Sequence, residues 1–138
     1  MAASALSPLA AAVFGVLQDA TLQAATAGGW HDDVPQPFTL PIGWVELFDE
    51  TDRRGLGTGE LNEIEVRLHV FSEYGGMSEA QEINRQAVAL LKDATLTISG
   101  YTHCGNVFWD RTVRLPSEEL NGRKVCEVVS FYRVIVQA

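Results

Sequence analysis

The cleanest alternation in the chain opens the stretch from Leu61 to Asp93 and runs as far as Phe71. Ile64, Val66, Leu68 and Val70 fall on one side of an extended segment, with Glu63, Glu65, Arg67 and His69 on the other and Phe71 closing that second side. A period of two predicts a half-buried strand. After Gly75-Gly76 the period becomes helical: Ala80, Ile83, Ala87 and Leu90 form a narrow apolar stripe, and Ser78 with Gln81 has capping-box spacing. This predicts a helix ending near Asp93. Upstream, Ser7-Pro8 supplies an N-cap and a first-turn proline. The face Leu9, Val13, Val16, Leu17, Ala20 and Ala24 then predicts one helix running to Gly28-Gly29.

Between these units, Trp30 to Val34 is a short extended segment whose closing prolines, Pro35 and Pro37, suit an edge or a turn. Leu40 to Phe48 predicts a strand, with Gly43 marking a bulge. Asp49 to Glu60 combines three glycines with mixed charges and has little to bury, so it is expected to be a mobile loop. Thr95–Ser99 and Asn106–Leu115 are strand candidates, and residues 116–122 a polar turn. Lys124 to Val136 is a long last strand, apolar on both faces, which implies cover on both sides from its own domain or from a neighbouring subunit. The order is helix, strands, loop, strand, helix, strands. The expected fold class is α+β: one domain over residues 1–138, a mostly antiparallel sheet with two main helices on one face.

Charge narrows the function classes. Ten Lys and Arg stand against eighteen Asp and Glu, a net charge of −8, and no Lys or Arg precedes Arg53. Phosphate-binding surfaces need clustered cations, so a direct grip on nucleic acid is not expected. Residues 1–18 carry no charged side chain and lack the basic start of a signal peptide. They are alanine-rich and too weakly apolar for a membrane span, so a soluble, intracellular start is expected and no membrane contact. Cys104 and Cys126 do not make a disulfide framework and are expected to be reduced and half-buried.

Catalytic chemistry is sought and not found. In an extended His31-Asp32-Asp33 only His31 and Asp33 share a side, and a closed metal site needs about four convergent ligands. His103 and Cys104 diverge as neighbours on an extended chain and have no third partner to orient them. Residues 55–59 are glycine-rich but lack the lysine and following helix of a phosphate cradle. Glu63 and Glu65 share a face with Arg67 and His69, which suits a charge ladder better than acid–base work. Arg111 and Arg114 are expected to be solvated or paired, and Trp44, Phe108 and Trp109 to pack in a core or interface. No enzyme activity and no cofactor is expected.

Several segments, in order, resemble the tail-completion (tail-terminator) proteins of long-tailed bacteriophages and gene transfer agents. They are His31-Asp32-Asp33-Val34-Pro35-Gln36, the Gly-rich loop, Leu68-His69-Val70-Phe71-Ser72, Gly75-Gly76, Glu79-Ala80 to Ile83, Leu90-Leu91 and Asp93-Ala94-Thr95-Leu96. The chain departs from the family pattern at residues 40–44 and matches it loosely over Tyr101 to Arg114. The resemblance implies a non-enzymatic virion protein, made in the host cytoplasm, that forms a ring, typically a hexamer, on the head-proximal end of the tail tube. Its partners would be further copies of itself, the tail-tube protein and the connector of the neck, with DNA passing through the lumen without specific binding. A head–tail connector or head-closure protein is the alternative within the virion, and a small-molecule-binding α+β domain the alternative outside it. Candidate interface residues are Asp49, Glu50, Asp52, Arg53 and Arg54 of the loop, Glu63, Glu65, Arg67 and His69 of the ladder, and Phe131 and Arg133 of the last strand.

Overall fold

A computed structural model describes residues 4–52, 61–73, 75–120 and 122–138, without the side chains of 116–118 and 120. In chain order the elements are α1 (Leu6–Val16), α2 (Ala20–Ala25), β1 (Trp30–His31), β2 (Ile42–Asp52), β3 (Leu61–Glu73), α3 (Met77–Leu91), β4 (Thr102–His103), β5 (Phe108–Leu120) and β6 (Arg123–Gln137). The fold is α+β, as the alternation predicts. Four long antiparallel strands run in the order β2-β3-β6-β5; β1 adds in parallel beside β2, and β4 pairs with the far end of β6.

The alternation in β3 sorts as its period demands. Ile64, Val66, Leu68 and Val70 are at most 1% exposed and lie under the helices. Their cross-strand neighbours on β6, Val134, Tyr132, Ser130 and Val128, continue the same buried face. Burying each such apolar side chain stabilises the fold by roughly 1.5–3 kcal/mol. Ala80, Ile83, Ala87 and Leu91 seal the layer from α3, and Leu9 and Val13 do so from α1. The α3 stripe thus ends on Leu91, with Leu90 half-buried. Tyr132, fully covered, keeps its hydroxyl 2.8 Å from Ser130 Oγ, and burial pushes that phenol upward in pKa.

Several expectations are corrected. The leading helix is two helices: the chain breaks after Leu17, and Asp19 restarts it by accepting from the Thr21 and Leu22 N–H groups at 3.1 Å each. The break rotates the second piece, so Leu22 is buried while Ala20 and Ala24 are exposed. The cap of α1 is Ala5, not Ser7, and α3 starts after Gly76 without a side-chain cap. In place of a capping box, Ser72 Oγ at the end of β3 donates to Glu79 in the first turn of α3 at 2.5 Å. Gly75, with φ of +94°, makes the turn between them.

Gly43 is not a bulge; the irregularity in β2 lies between Leu47 and Asp49. Asp49 to Asp52 are strand, paired with Asn62 to Glu65, so the expected loop loses its first four residues to the sheet. The rest of that loop, 53–60 with Arg53 and Arg54, lies outside the described residues, and with it the expectation of mobility. Thr95–Ser99 contributes only an isolated bridge, Ile98 to Tyr101, while β5 runs through the expected turn as far as Leu120. Two β-bulges, between Trp109 and Arg111 and between Leu115 and Glu118, let the strand pass Pro116. β6 is apolar on both faces because it is central: helices cover one face, and neighbouring side chains half-cover the other. Among the described residues no helix is long and apolar enough to cross a membrane.

Candidate functional site

The sheet face turned away from the helices is the chemically distinctive surface. The segment 32–41 folds back over its upper end, where Val34, Phe38 and Leu40 pack against Ile42, Phe71 and Val125. Both Gln36–Pro37 and Leu40–Pro41 are cis there. Beyond that flap the face is open, from Trp44 and Phe48 on β2 to Phe108 and Leu115 on β5.

Its centre is His69. The imidazole Nδ1 sits 2.5 Å from Glu127 Oε2 and Nε2 sits 2.8 Å from Glu46 Oε1, so each ring nitrogen faces a carboxylate. Trp44 stacks on the same ring at 4.1 Å between centroids, 23° from parallel, and Phe71 lies parallel at 6.2 Å on the covered side. β-Strand register brings these residues together: Trp44 pairs with His69 and Phe71 with Glu127. Glu127, 4% exposed, is held in an apolar setting by His69. The cluster ties three strands together, with Glu46 on β2, His69 on β3 and Glu127 on β6.

Below it the ladder continues as a cation–aromatic stack. Arg67 donates from Nε to Glu65 Oε2 at 2.7 Å and has Glu46 at 4.0 Å. Its guanidinium lies 3.4 Å from the Phe48 ring centroid and 5.1 Å from that of Phe131. Arg111 covers Phe131 at 4.5 Å, and Arg133 reaches Glu63 at 3.9 Å and Asp110 at 4.0 Å. Guanidinium planes stack well on aromatic rings while their N–H edges stay free to bond outward. The large hydrophobics that stand exposed among the described residues are Phe48 (52%), Phe108 (56%), Leu115 (40%) and Ile135 (39%). All four belong to this face, by register for Phe108, Leu115 and Ile135 and by its contact with Arg67 for Phe48. Exposed apolar side chains gathered on one polar-rimmed surface mark an interaction site more often than isolated ones do.

The sequence-derived candidates divide accordingly. Glu63, Glu65, Arg67, His69, Phe131, Arg133 and Asp49 come together on the open face. Glu50 does not: it points to the helix side, where its carboxylate accepts from the Ala5 N–H at 3.0 Å, Ser4 at 2.7 Å and Asn62 at 2.7 Å. Burial works against its charge, but those three bonds together hold the carboxyl below the ordinary range. Glu50 therefore anchors the start of α1. Asp52 closes β2, opposite Asn62.

Other candidates settle into structural places. His31 Nε2 lies 2.7 Å from the Gly28 carbonyl, and no group of three metal-ligating side chains forms among the described residues. Trp44 and Phe108 share the open face, but Trp109 faces the helix side beside Lys92, so the three aromatics form no common platform. Cys104 and Cys126 are free thiols, the first partly exposed and the second buried. Glu46, Glu127, Phe48, Leu115 and Ile135 were not singled out by sequence. Their signal was the register between strands, which a single chain's periodicity does not contain.

Two comparisons with known proteins place the chain as a whole. A family model described as Tail completion protein gp17 matches residues 8–136. Among solved structures, a chain of a "Virion of native gene transfer agent (GTA) particle" superposes with a TM-score of 0.78 at 20% identity, covering 99% of this chain and 100% of that one. No curated protein sequence matches.

Proposed function

The chain belongs to the tail completion protein family, structural proteins of the phage tail, and on that premise we propose that it is the ring-forming subunit that caps the head-proximal end of the tail tube. The ring ends tube polymerisation and gives the tail side of the head–tail junction. The family match over nearly the whole chain carries this reading. The open sheet face supports it: a self-standing monomer gains nothing from holding Phe48, Phe108, Leu115 and Ile135 in water, whereas an assembling subunit buries them. The net charge of −8 also suits a conduit, since like charge lets DNA slide past rather than adhere. Asp49, Glu63, Glu65, Arg67, His69, Phe131 and Arg133 are the surface offered to the neighbouring virion protein. Arg53 and Arg54 complete the proposed interface set from sequence alone.

The test is particle morphology with the chain removed. Overlong, headless tubes are expected in electron micrographs, with normal tails restored when the chain is supplied. Tubes of normal length that fail to join heads would instead assign it to the connector. Normal, attached tails would overturn the reading altogether.

A further inference from the structure

The sheet ends on two strand edges that no strand of this chain covers among the described residues. On β2, β1 pairs only with Gly43 and Trp44, leaving the outer edge open from Val45 onward. At the other side β5 pairs only with β6. Open edges invite pairing with another chain, and proteins commonly blunt them with bulges. Both edges here carry bulges, after Leu47 in β2 and on either side of residues 111–115 in β5. Val45–Leu47, just before the β2 bulge, and Arg111–Leu115, between the two β5 bulges, are regular, bulge-free stretches.

Three observations fit these stretches to one another. The first is direction. Each of the strands β2, β3, β6 and β5 runs opposite to its neighbour, so β5 runs opposite to β2. A second copy set beside the first in the same orientation therefore meets it in antiparallel register, the better-bonded geometry. The second is charge. Arg111 stacks on Phe131 but meets no carboxylate among the described residues, and Arg114, facing the helix side, is exposed and equally unpaired. Asp49 on β2 projects from the same face as Arg111, is exposed, and lacks an ion-pair partner among the described residues. The third is space. The outer edge of Val45–Leu47 walls a groove of about 430 Å³ whose far wall is Leu6, Ala10 and Phe14 of α1, with Asp32 and Glu46 at its rim. The helix-side residues of an incoming β5, Thr112 and Arg114, suit it: a small side chain and an aliphatic stem for the apolar wall, a guanidinium for Asp32.

We propose that copies of this chain join by antiparallel pairing of the outer edge of β5, residues 111–115, with Val45–Leu47 of the partner subunit, Arg111 facing Asp49 of the partner subunit. The inference rests on the ring reading above and specifies its subunit contact. The two edges are different surfaces at opposite ends of one sheet, so the contact is head-to-tail and leaves a free edge at each end until a ring closes.

The full chain, fractionated by mass into monomer and assembly, gives the test. In the assembly, amide exchange at residues 45–47 and 111–115 is expected to slow at least about tenfold against the monomer. Arg111→Asp and Asp49→Arg should each cut the assembled fraction about tenfold, with the double variant restoring it. Circular dichroism confirms that these surface variants fold. Assembly with both edges still exchanging at the monomer rate, or indifferent to both charge reversals, overturns edge pairing and leaves the ring reading standing. A chain that stays monomeric, alone and with tail-tube protein, overturns the ring reading and the edge pairing with it.

Discussion

The indole of Trp30 occupies the space that a Cβ on Gly43 would fill. The two are register partners in the parallel pair β1–β2, and Trp30 is 8% exposed. Glycine is therefore required there by close approach and not by backbone angle. Gly43→Ala should displace the ring and cost about 1–3 kcal/mol, the range for overpacking. Urea unfolding followed by tryptophan fluorescence measures it; an unchanged midpoint would show that the ring has room to move.

His69 bridges two carboxylates, and one of them, Glu127, is buried. His69→Ala should cost about 3 kcal/mol or more, because it strands Glu127 without a donor. Replacing both, as His69→Phe with Glu127→Leu, should recover much of that loss, since an apolar pair of similar volume needs no partners. Chemical denaturation of the two variants side by side decides the point.

His103 Nδ1 accepts the Leu96 N–H at 2.8 Å, which requires that nitrogen to be unprotonated. Burial lowers the pKa of this ring below its ordinary 6.5. A depressed histidine contributes stability that is fully present above the unfolded pKa and is lost as pH falls through the folded one. Unfolding free energy should therefore decline as pH drops below about 6.5, and His103→Asn should flatten that part of the profile. A slope unchanged by the substitution would place the pH dependence elsewhere.

The two cysteines should react at different rates. Cys104 donates its N–H to the Ile135 carbonyl at one end of β6, and Cys126 lies nine residues back on that strand, about 30 Å away at strand rise. They cannot pair without unfolding. Burial also raises the Cys126 thiol. Alkylation of the native protein should modify Cys104 first, and the second thiol should appear only on denaturation.

Period and local chemistry made β3, α3 and the α+β class legible, because those depend on neighbours in sequence. Leu68 is inside and Arg67 outside on period alone. The errors fell where longer-range packing overrules local signals. Asp49 to Asp52 look like loop, yet pairing with Asn62 to Glu65 holds them in the sheet. Thr95–Ser99 has strand composition, yet it makes only the isolated bridge of Ile98 with Tyr101. The ladder was visible as four alternating residues; its partners on the open face, Glu46, Glu127, Phe48 and Arg111, arrive from three other strands. No periodicity within one segment encodes that convergence.

β6 touches β3, β4 and β5, and among the described residues it follows all of them in chain order. Until residues 123–137 are synthesised, the sheet lacks its middle, and β2–β3 can exist only as a hairpin of marginal stability. The sheet therefore closes only once residues 123–137 are in place, through contacts far apart in sequence, which is slow by topology. On the edge-pairing proposal, both edges and the apolar face come into being together when β6 docks, so a chain lacking residues 123–137 should offer no surface for assembly.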